Sequence, residues 1–430
     1  MAEMKDSGIE WVGEIPKEWK VLKNKYNFEL SKEIIGTKWV ETQLLSLTKY
    51  GVKAINDGEQ TGKVPESLST YQKVNKDDIV MCLFDLDCSA VFSGISNFDG
   101  MVSPAYKCIR CKPHLCPQYV DYYFRTVFVD RKYKRYSKNV RFSISSDEFM
   151  NLPIIVPPID IQKKIAEFLN FKCFEIDTLH SDIEKQIKTL EEYKKSIITE
   201  AVTKGLDPDV EMKDSGIEWI GMIPKNWNVT RIGYESWIRA RLGWKGLKAE
   251  EYVLEGHPFL SAFNIIQNKI SWDELNYITN ERYNESPEIM LKVGDIVLVK
   301  DGAGIGKCAK IDSLPYETAT TNGSLAVISS TVEKLDYNYL YFYLQSAMFQ
   351  NYILRIMNGM GVPHLSQEEL RKIKIPFPPI NEQIEIAKYL EKKRNDIDMA
   401  ILEKIQQLET IEQYKKSVIY EYVTGKKEVQ

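Results

Sequence analysis

The chain is poor in the residues that carry out chemistry. It has 4 histidines among 430 residues. No serine or cysteine stands in an evident relation to a base, so no nucleophilic triad is read. The one glycine-rich stretch, DGAGIGKCA, fails as a phosphate loop. That motif needs glycine five places before its last glycine and Ser or Thr after its lysine, and those places hold Asp301 and Cys308. A base-modifying methyltransferase would need a cofactor site and a motif such as Asn-Pro-Pro-Tyr. Both proline pairs here are instead preceded by Val156 or Phe377 and followed by an isoleucine. Fragments of a nuclease signature between Pro208 and Lys213 are packed too tightly to act together. Cys108, Cys111, His114 and Cys116 have metal-ligand types, but the matching stretch of the second half has no such set, and Cys108 falls in a strand-like run that turns it inward. No catalytic residue and no metal ligand is therefore assigned.

Other absences set the compartment. Nothing approaches the run of about 20 apolar residues that a membrane helix needs. The opening MAEMKDSG has neither the basic head nor the apolar middle of a secretory leader. With seven cysteines, an odd number, the expectation is a reducing cytoplasm and free thiols.

What is present is ordinary globular material: 43% hydrophobic and 27% charged residues, enough for two to four domains at about 100–200 residues each. The net charge of −4 does not exclude a local basic face. From Arg131 to Arg141 the chain reads RKYKRYSKNVR, with six basic residues and no acid. A solvated surface helix and turn explains such a run as readily as a binding face does.

The strongest signal is repetition. MKDSGIEWVGEIPKEWKV (Met4 to Val21) returns as MKDSGIEWIGMIPKNWNV (Met212 to Val229), identical at fourteen of eighteen positions. A second pair follows: VPPIDIQKKIAEFL from Val156 matches FPPINEQIEIAKYL from Phe377. The match then runs without a gap, at a constant offset of 221, from Pro157 and Pro378 to Thr203 and Thr424. Loops tolerate changes in length and packed helices do not, so this stretch reads as a long helix in each half. The proline pairs can precede a helix but not lie within one, and Asp160 and Asn381 are expected as N-caps. Ile176, Ile183, Leu190 and Ile197 fall seven apart, with Ile187 between them; Ile397, Ile401, Leu408, Ile411 and Val418 keep the register. A seven-residue apolar repeat marks helices packed along a seam. From Phe171 to Lys204 the first helix would extend about 50 Å. Periodicity alone does not choose between parallel and antiparallel packing.

The order is phrase, variable segment, helix, and then the same again. The junction TKGLDPDVEMKDSGIEW joins helix to phrase in mid-chain, and the two termini are expected to meet in the same way. Between the fixed parts, residues about 22–155 and 230–376 carry short strands. KDDIVMCLF resembles VGDIVLVK, and FSISSDEFMNLPI matches PHLSQEELRKIKI, but the rest has diverged. One frame with two different surfaces suits a linear periodic ligand, and DNA is the obvious one.

The order of elements, the SGIEW-IG-IP-W phrase and the PPI-Q-IA-L helix entry resemble the specificity subunit of type I restriction-modification systems, over essentially the whole chain. That resemblance implies an α+β protein with two pseudo-symmetric α/β target-recognition domains joined by two long helices in an antiparallel coiled coil. Expected boundaries are 1–155 and 212–376 for the recognition domains, with helical spacers at 156–211 and 377–430. It implies a non-catalytic subunit whose domains each read half of a bipartite double-stranded DNA site. The helices set the gap and dock two methyltransferase subunits, and restriction subunits join through the complex. No cofactor is expected in this chain; S-adenosylmethionine, ATP and magnesium belong to the partners.

Candidate DNA-binding residues follow from where the family places a DNA-facing loop and from the side chains that pair with guanine, adenine and phosphate. In the first domain they are Lys134, Arg135, Lys138, Asn139, Arg141 and Ser143. In the second, RIMNGMGVPHLS supplies Arg355, Asn358, His364 and Ser366, and VKDGAGIGKCA supplies Lys300 and Lys307. TTNGS adds Thr320, Thr321 and Asn322, and RARLGWKGLK adds Arg239, Arg241, Lys245 and Lys248.

Overall fold

The computed structural model describes every residue except 1–2, 32, 49–50, 57–66, 90–91, 130, 138–141, 242–248, 303, 332, 358–363 and 430. It divides into two compact units, one of residues 1–183 with 405–430 and one of residues 184–404. Each is a mixed helix-and-sheet body.

In the first unit, four strands form an antiparallel sheet: β1 (Phe28–Leu30), β2 (Ile79–Met81), β3 (Ser93–Ile95) and β4 (Lys107–Cys111), in the order β1-β4-β2-β3. The second unit repeats it with β5 (Ser236–Arg239), β6 (Ile296–Val299), β7 (Cys308–Lys310) and β8 (Leu325–Ser330), in the order β5-β8-β6-β7. Strands β2 and β6 are apolar throughout because both faces of the sheet are covered. Successive side chains alternate between faces. Ile79 and Met81 join the core shared with the helices, and Val80 joins a separate core with Leu45, Leu47, Val52 and Val102. Ile296 and Leu298 likewise face the helices, while Val297 and Val299 face Leu260, Ile265 and Ile289. Cys108 points into the core as the sequence suggests, and burial pushes its thiol up to about 12.

A buried aspartate starts each central strand. Asp78 accepts from the Asn75 amide and Asp295 from the Lys292 amide, both at 2.9 Å. Each also pairs with an arginine, but from different strands. Arg110 comes from β4 at 3.0 Å, and Arg239 comes from β5 at 2.7 Å. In the sheet ladder, the place of Arg110 is taken by Ser329 in the second unit. The Ser329 hydroxyl donates to Asp295.

The long helices run Ile159–Lys204 and Ile380–Val423. They start one residue earlier than the expected caps. Pro158 and Pro379 carbonyls accept the first helical bonds, from the Gln162 and Gln383 amides. Asp160 therefore lies in the first turn, where a carboxylate favours the helix dipole, and neither it nor Asn381 is the cap. At the far ends, Gly205 (φ 79°) and Gly425 (φ 72°) take the left-handed conformation that closes a helix. Within the first unit the two helical stretches are antiparallel: Asp177 pairs with Lys415, and His180 lies 3.7 Å from Glu412. The second unit shows the same sense, Lys194 pairing with Asp398 at 2.7 Å and Lys404 donating to Gln186. Ile176, Ile183 and Ile197 of the predicted stripe are buried, as are Ile397 and Val418.

The expected meeting of the termini occurs within the first unit. The Tyr420 hydroxyl donates to the Trp11 carbonyl at 3.1 Å, and Lys426 Nζ donates to the Glu14 carbonyl. A Cβ on Gly425 would fall 2.4 Å from Pro16, so no other residue closes this joint without a shift.

Candidate nucleic-acid interface

Each sheet is fastened to its helices by the same two side chains. Gln162, fully buried, accepts from the Cys116 amide at 2.8 Å and donates to the His114 and Pro157 carbonyls. Gln383 does the same with the Asp336 amide and the Lys334 and Pro378 carbonyls. The buried Tyr119 hydroxyl lies 3.3 and 3.1 Å from the Ile155 and Val423 carbonyls, and the Tyr339 hydroxyl lies 3.1 Å from both the Pro376 and Val202 carbonyls. Burial holds both phenols well above their usual range, so they remain donors. This frame sets where the variable loops emerge.

In the second unit the loops gather at the end of β6. The Lys300 amide donates to Ser324 O and the Leu365 amide to Lys300 O, both at 2.8 Å. The Asp301 carboxylate joins Lys300 Nζ at 2.7 Å and His364 Nδ1. Asn322 turns the chain by accepting from the Ser324 amide and hydroxyl. Gly302 and Gly306, at φ 82° and 87°, form the tight turn that leads to the exposed Lys307. Gln350 donates to Gly306 O at 2.9 Å and so docks its helix, Ala347–Met357, on the same turn. That helix carries the exposed Arg355 in its last turn. Lys300, Lys307, Asn322 and His364 are thus brought to one sheet edge, with Arg355 on the helix docked there.

The first unit wires its edge alike. The Ile144 amide donates to Leu83 O at 2.8 Å and the Leu86 amide to Phe142 O at 3.2 Å. Its chemistry differs: Leu83 stands where Lys300 does, and the loop beyond it holds Asp85 and the exposed Asp87. The basic run splits in two. Arg131, at φ 51°, turns inward to the Leu86 and Ser89 carbonyls, and Lys132 lies 4.6 Å above the Trp11 ring. Lys134 and Arg135 are exposed; Lys134 sits 4.1 Å above Phe142, and Arg135 pairs with Glu10 at 2.6 Å. Ser143 is half-buried, and its carbonyl accepts from Ser137.

Four candidates have other duties. Arg239 is 5% exposed and gives its donors to Asp295, Ser329 and the Glu288 and Met290 carbonyls, under the Trp237 ring. Thr320 and Thr321 are buried in a strand beside His257–Leu260, and the Thr320 hydroxyl donates to Ile289 O. Ser366 caps the helix Gln367–Lys372 in a capping box with Glu369, and the serine hydroxyl holds that carboxyl below its usual range. Ser145 and Glu148 repeat the box in the first unit. Arg241 is half-buried; burial, then Arg282, lowers its pKa. Lys138, Asn139, Arg141, Lys245, Lys248 and Asn358 lie outside the described residues. Sequence reasoning missed Asp301, Asp85 and Asp87. The matching DIV strands were the signal that would have located them. Among the described residues no cluster of His, Cys, Asp and Glu can hold a metal, and no helix is long and apolar enough to cross a membrane.

The family model for the type I restriction modification DNA specificity domain matches residues 16–191 and 246–410. The type I restriction enzyme MjaVIII specificity subunit of Methanocaldococcus jannaschii is 31% identical over 280 residues, 65% of this chain and 63% of its own length, so the match spans less than two thirds of that relative. The putative MjaX specificity subunit of the same organism is 27% identical over 96% of this chain and 95% of its own. Two solved structures share the fold at 13% identity. One, from a study of complex assembly and conformational transition in a type I R-M system, has a TM-score of 0.72 and covers 95% of this chain and 98% of its own. The HsdS subunit of Thermoanaerobacter tengcongensis has a TM-score of 0.54 and covers 96% and 98%.

Proposed function

The chain belongs to the type I restriction-modification DNA specificity family, and from that premise we propose that it is the non-catalytic reader of a bipartite DNA site, one half-site per sheet edge. The observation that carries this reading is the repeated frame. Gln162 and Tyr119 in one unit, and Gln383 and Tyr339 in the other, hold edges of like backbone wiring and unlike side chains. The exposed Lys307 on one edge and the Asp85 and Asp87 carboxylates on the other suit different partners, since lysine donates to phosphate or guanine and a carboxylate accepts from the cytosine amino group.

The helices set the unspecified gap and dock methyltransferase subunits. Support comes from apolar side chains that point away from each unit's own core: Phe171, Phe174 and Tyr414 in the first, and Tyr193, Met399 and Leu402 in the second, each at least half exposed. Tyr193 and Tyr414 occupy equivalent positions in the repeat. S-adenosylmethionine, ATP and magnesium then act on the partner subunits, and a restriction subunit joins through them in the cytoplasm.

The test is a modification map. This chain is expressed with its methyltransferase partner in an unmethylated host, and the DNA is sequenced with base-modification detection. A split motif with a constant gap is expected. Deleting one turn from both long helices should then shorten the gap and leave both half-sites unchanged. Modification at one unbroken short motif would overturn the two-reader account.

A further inference from the structure

Phe263 is 92% exposed, yet it stands on a rigid support. It lies in the single turn Ala262–Asn264, where the Ser261 amide and hydroxyl both donate to Asn264 Oδ1, at 2.9 and 3.1 Å. Asn264 and Ile265 behind it are buried. Exposed phenylalanines commonly sit on surfaces without purpose, so its neighbourhood decides. The turn follows the strand His257–Leu260, and the Asn322 amide donates to Leu260 O at 2.8 Å. Asn322 is tied through Ser324 to Lys300, and Lys300 through Asp301 to His364. The turn that carries the ring is therefore hydrogen-bonded, through Leu260 and Asn322, to the polar edge already described.

We propose that Phe263 is a wedge that enters the base stack of the DNA beside the second half-site. This rests on the reading of that edge as a DNA reader. An apolar ring on a fixed turn, flanked by donors that position the duplex, is the arrangement by which side chains part a base step. The ring adds discrimination without a base-edge hydrogen bond, because pyrimidine–purine steps open more easily than others.

The experiment uses the complete complex of this chain with its methyltransferase partner. Duplexes carry 2-aminopurine at successive positions through and beside the second half-site, away from the methylated base. With the natural chain, fluorescence should rise at one step. With Phe263→Ala the rise should vanish and affinity should fall about tenfold or more, with the salt slope unchanged because no phosphate contact is lost. Phe263→Leu should keep much of the rise, since leucine also serves as a wedge. Mass measurement of the Phe263→Ala complex should show all subunits present; loss of a subunit would overturn the wedge in favour of a protein contact. Equal fluorescence and affinity in the alanine variant would overturn the wedge alone. Failure of the natural complex to bind any duplex would overturn the DNA reading and the wedge together.

Discussion

The two recognition units solve one problem differently at the same point. Both start the central strand with a buried aspartate held by a backbone amide three residues earlier. In the first, its partner Arg110 stands on β4 with its side chain 48% exposed; in the second, Arg239 arrives from β5 with its side chain 4% exposed. The carboxylate is fixed by the frame, while the arginine comes from a different strand in each unit. The frame thus constrains backbone wiring and leaves the side chains at the sheet edge free to differ. That freedom is what a protein reading two unlike half-sites requires.

The comparison breaks most sharply at the arginines. Arg239→Ala strands a buried carboxylate and should cost about 3–5 kcal/mol. Arg110→Ala also uncovers a buried carboxylate, but Arg110 itself is half exposed and water can take its place, so the cost should be smaller, about 1–3 kcal/mol. Denaturant unfolding of each variant measures both, and a reversed ranking would contradict the burial argument. At the frame, equality is expected instead. Gln162→Ala and Gln383→Ala each leave a buried amide and two carbonyls unpaired, for about 1–3 kcal/mol apiece. Unfolding that separates them widely would mean the two fastenings are not equivalent. The smallest effect lies at the edge. Lys307→Gln should leave stability nearly unchanged but make the salt dependence of DNA binding shallower by about one. An unchanged slope would remove Lys307 from the interface.

The frame was the legible part of the sequence because its spacing is fixed by packing. The 221-residue offset points to both long helices, and the seven-residue stripe marks buried positions such as Ile176, Ile183 and Val418. The helix start was read two residues late, since Asp160 looks like a cap while Pro158 O does the capping. Ser366 was readable as a cap too: Ser-x-x-Glu occurs at both Ser145 and Ser366. Arg239 was not readable, because its partner Asp295 is distant in the chain and only strand pairing brings them together. Thr320 and Thr321 look like a polar turn, and a parallel pairing with Phe259 and Leu260 puts them inside. Phe263 carried no signal at all, since an exposed and a core phenylalanine look alike in one sequence.

The central claim is that each edge reads alone on a shared frame. The direct test replaces residues 230–376 with the matching segment of a relative whose motif differs, then maps modified bases in cells carrying the methyltransferase partner. The account predicts that one half-site changes, while the other half-site and the gap stay as they were. A change in both half-sites would contradict independent readers.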